Sequence, residues 1–240
     1  MVDIRIEGNQ QSPTLAADGS MRAVRGLRTG EMGVAELIDM WIAEGRVFEV
    51  TVGGIAAGGD VALITGGGAG TTVDQDQPEF GVSVPAGTIL VPLQIDIACI
   101  ADLDANAEVG HVIVSYDKAA AWVGDGTVTT ETPVNIITGG GVSSVASAFS
   151  AATADITDPT VSGILVHRAI SASEFVSNGT ATNLTNGLTV ALGASWSAKR
   201  DIPVFIEGPG AFYGYWGGTA AVTGTARVVW AEIPATRFSF

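Results

Sequence analysis

Residues 88–100 form the run TILVPLQIDIACI, in which apolar side chains recur at every second position. This period of two predicts a long β-strand with one buried face, because successive side chains of a strand point to opposite sides. The predicted core face carries Ile89, Val91, Leu93, Ile95, Ile97 and Cys99. The other face is mixed and carries Leu90, Pro92, Gln94, Asp96, Ala98 and Ile100. Since Pro92 has no amide hydrogen to donate, we expect a sheet edge or a bulge at that residue.

Short β-rich runs of the same kind occur along most of the chain, separated by Gly, Asp, Asn, Thr and Pro. Besides 88–100, strands are predicted over 46–52, 61–65, 80–84, 109–117, 132–138, 161–170, 173–177, 187–193, 201–208, 211–217 and 225–233. No regular helical pattern lies between these runs, so a parallel α/β fold is not expected. Strands at this spacing predict an all-β sandwich or barrel. Residues 142–160 are rich in small side chains, and their pattern leaves a short helix and a long connection both open.

One amphipathic helix is predicted over 31–45, before the strands begin. Its apolar residues recur at helical spacing and share one face, formed by Val34, Leu37, Ile38, Trp41 and Ile42. Thr29 is predicted to cap the start of the helix, and Gly45 to end it in the left-handed conformation. We expect this face to pack on the β body, with a helix reserved for a partner protein as the alternative.

Charge is distributed unevenly along the chain. The 240 residues include 25 acids and 11 bases, for a net charge of −14. Residues 1–46 hold five arginines against seven acids, whereas residues 47–240 hold six bases against eighteen acids. We therefore divide the chain into an N-terminal arm (1–30), the helix (31–45) and a β domain (46–240). The arm carries arginines three residues apart at Arg22, Arg25 and Arg28.

This composition excludes several classes of protein. Eleven bases in 240 residues cannot build the concentrated cationic surface on which nucleic-acid binding depends. No apolar run approaches the roughly 20 residues of a membrane-spanning helix. The start, MVDIRIEGNQ, lacks the basic and apolar regions of a secretion signal, so a soluble chain is expected.

The residue types that carry most chemistry are sparse. His111 and His167 are the two histidines, and neither has the neighbouring histidine of a cupin metal site, so each is predicted to be a strand-surface or core residue. Cys99 is the single cysteine and is predicted to be a small buried side chain. The acidic stretches 74–79 and 102–108 are predicted to be solvated turns, with cation binding as the weaker alternative. We expect no catalytic residue, no metal and no cofactor. A hydrolase would need an Asp or Glu beside one of the histidines.

An aromatic cluster lies in GPGAFYGYWGG (208–218). If this stretch is a strand, Phe212 and Trp216 share one side, and Tyr213 and Tyr215 share the other. We expect one side to build the core and the other to form an interface. The alternative is a sugar-binding loop that uses Tyr213, Tyr215 and Trp216.

Two segments resemble the jelly-roll structural proteins of bacteriophages and other virus particles. They are VPAGTILVPLQIDI (84–97) and DIPVFIEGPGAFYGYWGGTAAVTGTARVVWAEIPA (201–235), and the resemblance extends over roughly residues 46–235. It implies a jelly-roll-like antiparallel β-sandwich preceded by an extended arm and one amphipathic helix. Such proteins usually trimerise or pack side by side in a shell, and their terminal arms extend over neighbouring subunits.

The function implied by this resemblance is that of a virion structural protein. It would be a capsid protein or a capsid-associated cement, vertex or decoration protein, made in the host cytoplasm and found in the virion. Its partners would be further copies of itself and other capsid proteins, with Arg22, Arg25 and Arg28 meeting the acidic body of a neighbour. The alternative is the glycan- or receptor-binding head of a fibre.

Overall fold

The computed structural model describes residues 37–53, 63–65, 73–103, 109–118, 127–137, 142–152, 156, 161–171, 188–218 and 221–237. Strands dominate this part of the chain. They are β1 (Val47–Val52), β2 (Ile64–Thr65), β3 (Phe80–Val84), β4 (Thr88–Leu103), β5 (Val109–Asp117), β6 (Thr129–Glu131), β7 (Val134–Asn135), β8 (Ser147–Ser150), β9 (Gly163–Ser171), β10 (Leu188–Ser197), β11 (Ile206–Glu207), β12 (Gly210–Gly218) and β13 (Ala221–Pro234). Helix α1 spans Leu37–Ala43, and a 3-10 turn spans Ala235–Arg237.

The strands form two antiparallel sheets that pack as a sandwich. The seven-stranded sheet has the order β10-β4-β13-β1-β7, with β11 paired to β4 and β2 paired to β13. The six-stranded sheet has the order β6-β8-β3-β12-β5-β9. The prediction of an all-β antiparallel sandwich is confirmed.

Eight of the strands form four pairs whose members lie far apart in the sequence, and these pairs are nested. Strand β1 pairs with β13, β3 with β12, β4 with β10, and β5 with β9. The outermost strands of the sequence therefore pair with each other, and each inner pair lies within the previous one. A long antiparallel hairpin rolled into two sheets has this topology, which is that of a jelly roll.

A bulge in β4 changes which of its side chains face the core. Trp230 lies opposite Pro92, whereas the preceding Val229 lies opposite Gln94, so Leu93 is the extra residue. The predicted irregularity at Pro92 is thus confirmed. The predicted face is wrong in its first half, however, because alternation reverses at the bulge. Beyond the bulge Ile95, Ile97 and Cys99 belong to the main core cluster, and before it Leu90 does. Ile89 and Val91 are buried as predicted, but they lie on the opposite face and outside that cluster.

The main core lies between the sheets and is built on large side chains from both. The six-stranded sheet contributes Phe80, Phe212 and Trp216, and the seven-stranded sheet contributes Phe48 and Trp230. Each of these rings is almost completely buried. Burial of a side chain of this size contributes roughly 1.5–3 kcal/mol to stability.

A second, smaller cluster covers part of the outer face of the six-stranded sheet. It contains Phe149, Ala152, Ile156, Ala211, Tyr213 and Tyr215. The segment before β3 holds it in place through backbone hydrogen bonds, since Ile156 donates to the carbonyl of Asp76 at 2.9 Å and Ala152 to that of Pro78 at 3.2 Å. Residues 74–79, predicted to be a solvated turn, therefore form the cover of this cluster.

Several predicted strands differ from those observed. The run 132–138 contains only β7, and Pro133 separates it from β6, which belongs to the other sheet. The run 201–208 contains only β11, because the chain first turns at Ser197, whose amide donates to the Asp201 carboxylate at 3.0 Å. Residues 142–160, left open by the sequence, include β8. The predicted strand over 173–177 lies outside the described residues.

The chain divides into two parts, Met1–Glu44 and Gly45–Phe240. The described residues of the first part are those of helix α1 and the following Glu44. Gly45 has a φ of 69°, which confirms the predicted left-handed end of the helix. Within the described residues, no helix has the length and apolar character that crossing a membrane requires.

Candidate functional site

One end of the sandwich is defined by the start of β4 and is called here the Thr88 end. Because neighbouring strands are antiparallel, β9 and β12 also begin there, while β5, β10 and β13 end there. The connections at this end are the turn 85–87, the segments around β6 to β8, and residues 198–209.

Exposed apolar side chains concentrate around the Thr88 end. Within the described part of Gly45–Phe240, the large apolar residues exposed there are Val134, Val142, Val145, Val161, Ile164, Ile202 and Phe205. Ile202 is the extreme case, with 85% of its surface accessible to solvent. Elsewhere in the same described residues, the large exposed apolar side chains are Leu63 and Ile100. Apolar surface left open in this way favours a contact with another macromolecule.

A surface cavity of about 370 Å³ lies within this end, lined by Ile89, Lys118, Phe205 and Glu207. Lys118 is anchored at its backbone, because its amide donates to the Ser162 hydroxyl at 3.1 Å. Its ammonium group lies 5.7 Å from the centre of the Tyr116 ring, within the range of a cation–π contact. The cavity is therefore lined by two apolar side chains and by one group of each charge.

The connection that carries Ile202 is held in shape by local hydrogen bonds. The amides of Arg200 and Asp201 both donate to the carbonyl of Ser197, at 3.0 and 2.8 Å. The amide of Ser197 in turn donates to the Asp201 carboxylate, and this bond, followed by the one from Arg200, lowers the pKa of that carboxyl. The exposed residues that follow are thus displayed from an ordered turn.

Two of the three buried carboxylates among the described residues serve the scaffold. Glu79 accepts a hydrogen bond at 2.8 Å from the backbone amide of Trp216. Glu232 accepts one at 3.0 Å from the indole of Trp230 and one at 2.8 Å from the amide of Val145. Both carboxylates face donors of the chain itself, which is the arrangement of a structural anchor.

The aromatic residues singled out in the sequence lie within strand β12, not in a loop. Trp216 belongs to the main core, and its indole donates to the carbonyl of Ile64 at 3.0 Å. Tyr213 and Tyr215 face the other way, as the alternation predicted, and lie in the outer cluster, where burial raises the pKa of both phenols above the usual range. The Tyr215 hydroxyl donates to the carbonyl of Gln75 at 3.0 Å. All three rings are buried, so they present no open face to a sugar.

The remaining predicted residues belong to the first part of the chain. Arg22, Arg25, Arg28 and Val34 lie outside the described residues. On helix α1, Trp41 is buried and Ile38 and Ile42 are half-buried. Leu37, predicted for the same contact face, is exposed over 56% of its surface.

The two histidines are neighbours in space although they are far apart in sequence. The Nε2 atom of His167 lies 3.4 Å from the Nδ1 atom of His111. Their alignment depends on the pairing of β5 with β9, which no local pattern in the sequence reveals. Among the described residues, no group of three His, Cys, Asp or Glu side chains is arranged to hold a metal ion.

Comparisons of the chain with protein-family models, with curated proteins and with solved structures found no match.

Proposed function

We propose that this chain is a structural subunit of a virus particle, that of a bacteriophage, and that its jelly roll associates with further copies through the Thr88 end. The observation that carries the proposal is the concentration of exposed apolar side chains at that one end. An interface needs such a surface, because burying apolar area on association is the main favourable contribution to binding. The jelly roll itself adds support by analogy, since viral capsid proteins often use this architecture.

The polar interior also supports a structural role. The buried carboxylates of Glu79 and Glu232 bind amides and an indole of their own chain, so they stabilise the sandwich. The proposed role is non-catalytic and requires no cofactor; its partners are copies of the same chain and other capsid proteins.

The experiment measures the mass of the purified chain by light scattering over a range of concentrations. We expect an oligomer, with a trimer as the leading form, that dissociates on dilution. The double variant Ile202→Asp/Phe205→Asp should shift the equilibrium toward monomer by at least about tenfold, because it places two charges where apolar contacts would be buried. Ile100→Asp is the matched control, since Ile100 is also an exposed isoleucine but lies away from the Thr88 end.

Electron microscopy of the same samples, alone and mixed with purified particles, tests the virion role. We expect ordered shells, or density for the chain on the particle. A monomer at every concentration that neither forms shells nor joins particles would contradict the proposal. An oligomer that Ile202→Asp/Phe205→Asp leaves intact would contradict the Thr88 end as its interface.

The N-terminal arm has a separate place in the proposal. Its arginines would meet the acidic body of an adjacent subunit, where residues 47–240 hold eighteen acids against six bases. Deletion of residues 1–28 should therefore weaken assembly, and more strongly at low salt, where charge attraction has a longer range. Assembly that is unchanged by the deletion would overturn this assignment.

A further inference from the structure

His111 and His167 share the outer face of the six-stranded sheet. In the register of β5 and β9, Ile113 lies opposite His167 and His111 lies opposite Ala169. The histidines are therefore diagonal neighbours, close enough for long side chains to meet. The intervening Val112 and Val114 point into the core, which turns both imidazoles toward the outside.

The spacing of the two ring nitrogens fits a shared metal ion. His111 Nδ1 and His167 Nε2 are 3.4 Å apart, which is longer than the usual N–H hydrogen bond of about 2.7–3.2 Å. Two imidazole nitrogens bound tetrahedrally at about 2.0–2.1 Å from one Zn²⁺ would lie about 3.3–3.4 Å apart. The rings are inclined by 24° with their centroids 5.7 Å apart, so the two nitrogens lie between the rings and face each other. Rotation of the imidazoles about their side-chain bonds, without a backbone change, directs both nitrogens to one ion.

The surroundings leave room for an ion and its water ligands. On the β12 side, His111 lies opposite Gly217, which has no side chain. On the β9 side it lies opposite Ala169, which is small and exposed. His167 is itself exposed, whereas His111 is half-buried, so solvent reaches the pair from one side.

We propose that His111 and His167 form a binding site for a zinc-like transition-metal ion, with His111 coordinating through Nδ1 and His167 through Nε2. Imidazole nitrogen favours Zn²⁺, Cu²⁺ and Ni²⁺ over Mg²⁺ and Ca²⁺, which prefer oxygen ligands. Water completes the coordination, because the described residues provide no cluster of three His, Cys, Asp or Glu ligands. The site is independent of the proposed role in assembly.

The test is calorimetric titration of the full chain, without a histidine tag, with ZnCl2 in the presence of excess MgCl2, which occupies carboxylate sites. We expect one Zn²⁺ per chain. His111→Ala and His167→Ala should each weaken binding by at least about tenfold, since each removes one of two protein ligands. Glu207→Gln is the control, because it removes an exposed carboxylate away from the pair and should leave the affinity unchanged.

Imidazole nitrogen NMR of the wild-type chain gives a second measurement that does not depend on how the variants fold. Binding should shift the signals of His111 Nδ1 and His167 Nε2 together, in proportion to the Zn²⁺ bound. Two results would overturn the proposal: no saturable Zn²⁺ binding by the wild type, or binding that leaves both imidazole signals unmoved.

Discussion

Glu232 illustrates how one buried polar side chain stabilises several segments at once. Besides the indole of Trp230 and the amide of Val145, its carboxylate accepts a bond from the hydroxyl of Ser144. It therefore ties strand β13 to the segment that leads into β8, which belongs to the other sheet. A charged acceptor makes hydrogen bonds of about twice the strength of neutral ones.

Glu232→Ala should lower the free energy of unfolding by about 3 kcal/mol or more, because it leaves the indole and amide donors without an acceptor. Glu232→Gln should cost less, since it keeps one acceptor oxygen in place. Chemical denaturation followed by tryptophan fluorescence measures both. The exposed Glu207→Ala is the control and should change stability by less than about 0.5 kcal/mol. Equal effects of Glu232→Ala and Glu207→Ala would show that the buried carboxylate is not an anchor.

Cys99 is the second residue whose surroundings have a measurable effect. Burial, with a smaller contribution from the negative charge of Glu79, raises the pKa of its thiol to about 12. In the unfolded chain the thiol ionises near its ordinary pKa of about 8.5. Between these values the unfolded state binds fewer protons than the folded state, so stability decreases as pH rises.

We therefore expect the free energy of unfolding to fall from about pH 8.5 upward, by at most roughly 1.4 kcal/mol per pH unit for this group. Cys99→Ala should show a shallower decrease over pH 8.5–9.5, below the ordinary pKa of about 10 near which Tyr213 and Tyr215 ionise in the unfolded chain and add to the slope. Denaturation curves at each pH measure the slope. In the same experiment, a thiol reagent at pH 8 should label the native chain far more slowly than the denatured one; equal rates would contradict the burial of Cys99.

At the scale of elements, β3 and β12 are joined through glycines that make space for aromatic rings. A Cβ at Gly214 would overlap the ring of Phe80, and one at Gly81 would overlap Phe149 and lie 2.9 Å from Tyr213. Gly214 on β12 is paired with Phe80 on β3, and Gly81 with Tyr213, so each glycine lies opposite an aromatic residue. On each face of this strand pair, a glycine therefore leaves the space that a neighbouring aromatic ring occupies.

Gly81→Ala and Gly214→Ala should each destabilise the sandwich by about 1–3 kcal/mol, because the added methyl group forces a buried ring out of its position. Gly193→Ala is the matched control on β10, where the nearest atom to a Cβ would be the Ile97 carbonyl oxygen at an ordinary 3.6 Å. We expect that variant to be neutral or slightly more stable, since alanine reduces the freedom of the unfolded chain. Thermal denaturation of the three variants compares their stabilities. A loss of stability in Gly193→Ala as large as that in Gly214→Ala would contradict the role assigned to the aromatic rings.

The sequence located most elements because strand alternation is a local property. Runs such as FGVSV and VGHVIVSYD correspond to β3 and β5 at both ends. The face of Ile89 and Val91 could not be predicted, because the bulge that reverses it depends on the partner strand β13. The histidine pair and the apolar Thr88 end were missed for the same reason, since both are produced by contacts between segments distant in sequence.

At the scale of the whole molecule, β12 and β13 have a central position. Each lies between two other strands of its sheet, β3 and β5 for β12, and β4 and β1 for β13. Strands β9 and β10, in contrast, lie at the edges. Strands β12 and β13 are therefore interior strands, one in each sheet, and most of the core packs against them.

Amide hydrogen exchange should follow this order. We expect backbone amides of residues 212–216 and 226–231 to exchange most slowly, with free energies of opening close to that of global unfolding, and those of β9 to exchange faster. Exchange followed by mass spectrometry of short peptides measures the difference. If β9 is protected as strongly as β12 in an assembled sample, its edge is covered by a neighbouring subunit. The same measurement on the dilute monomer tests the prediction itself, and equal protection of β9 and β12 there would contradict it.

The nested pairing also determines where the two ends of the sandwich domain emerge. Val47 lies opposite Ala231, and the amide of Glu232 donates to the carbonyl of Arg46 at 2.9 Å. Residues 46 and 235 therefore leave adjacent strands on the same side of the body, the side that bears Ile202 and Phe205. A short peptide could join these positions to give a circularly permuted domain. A peptide or reporter fused at either position would lie at the Thr88 end.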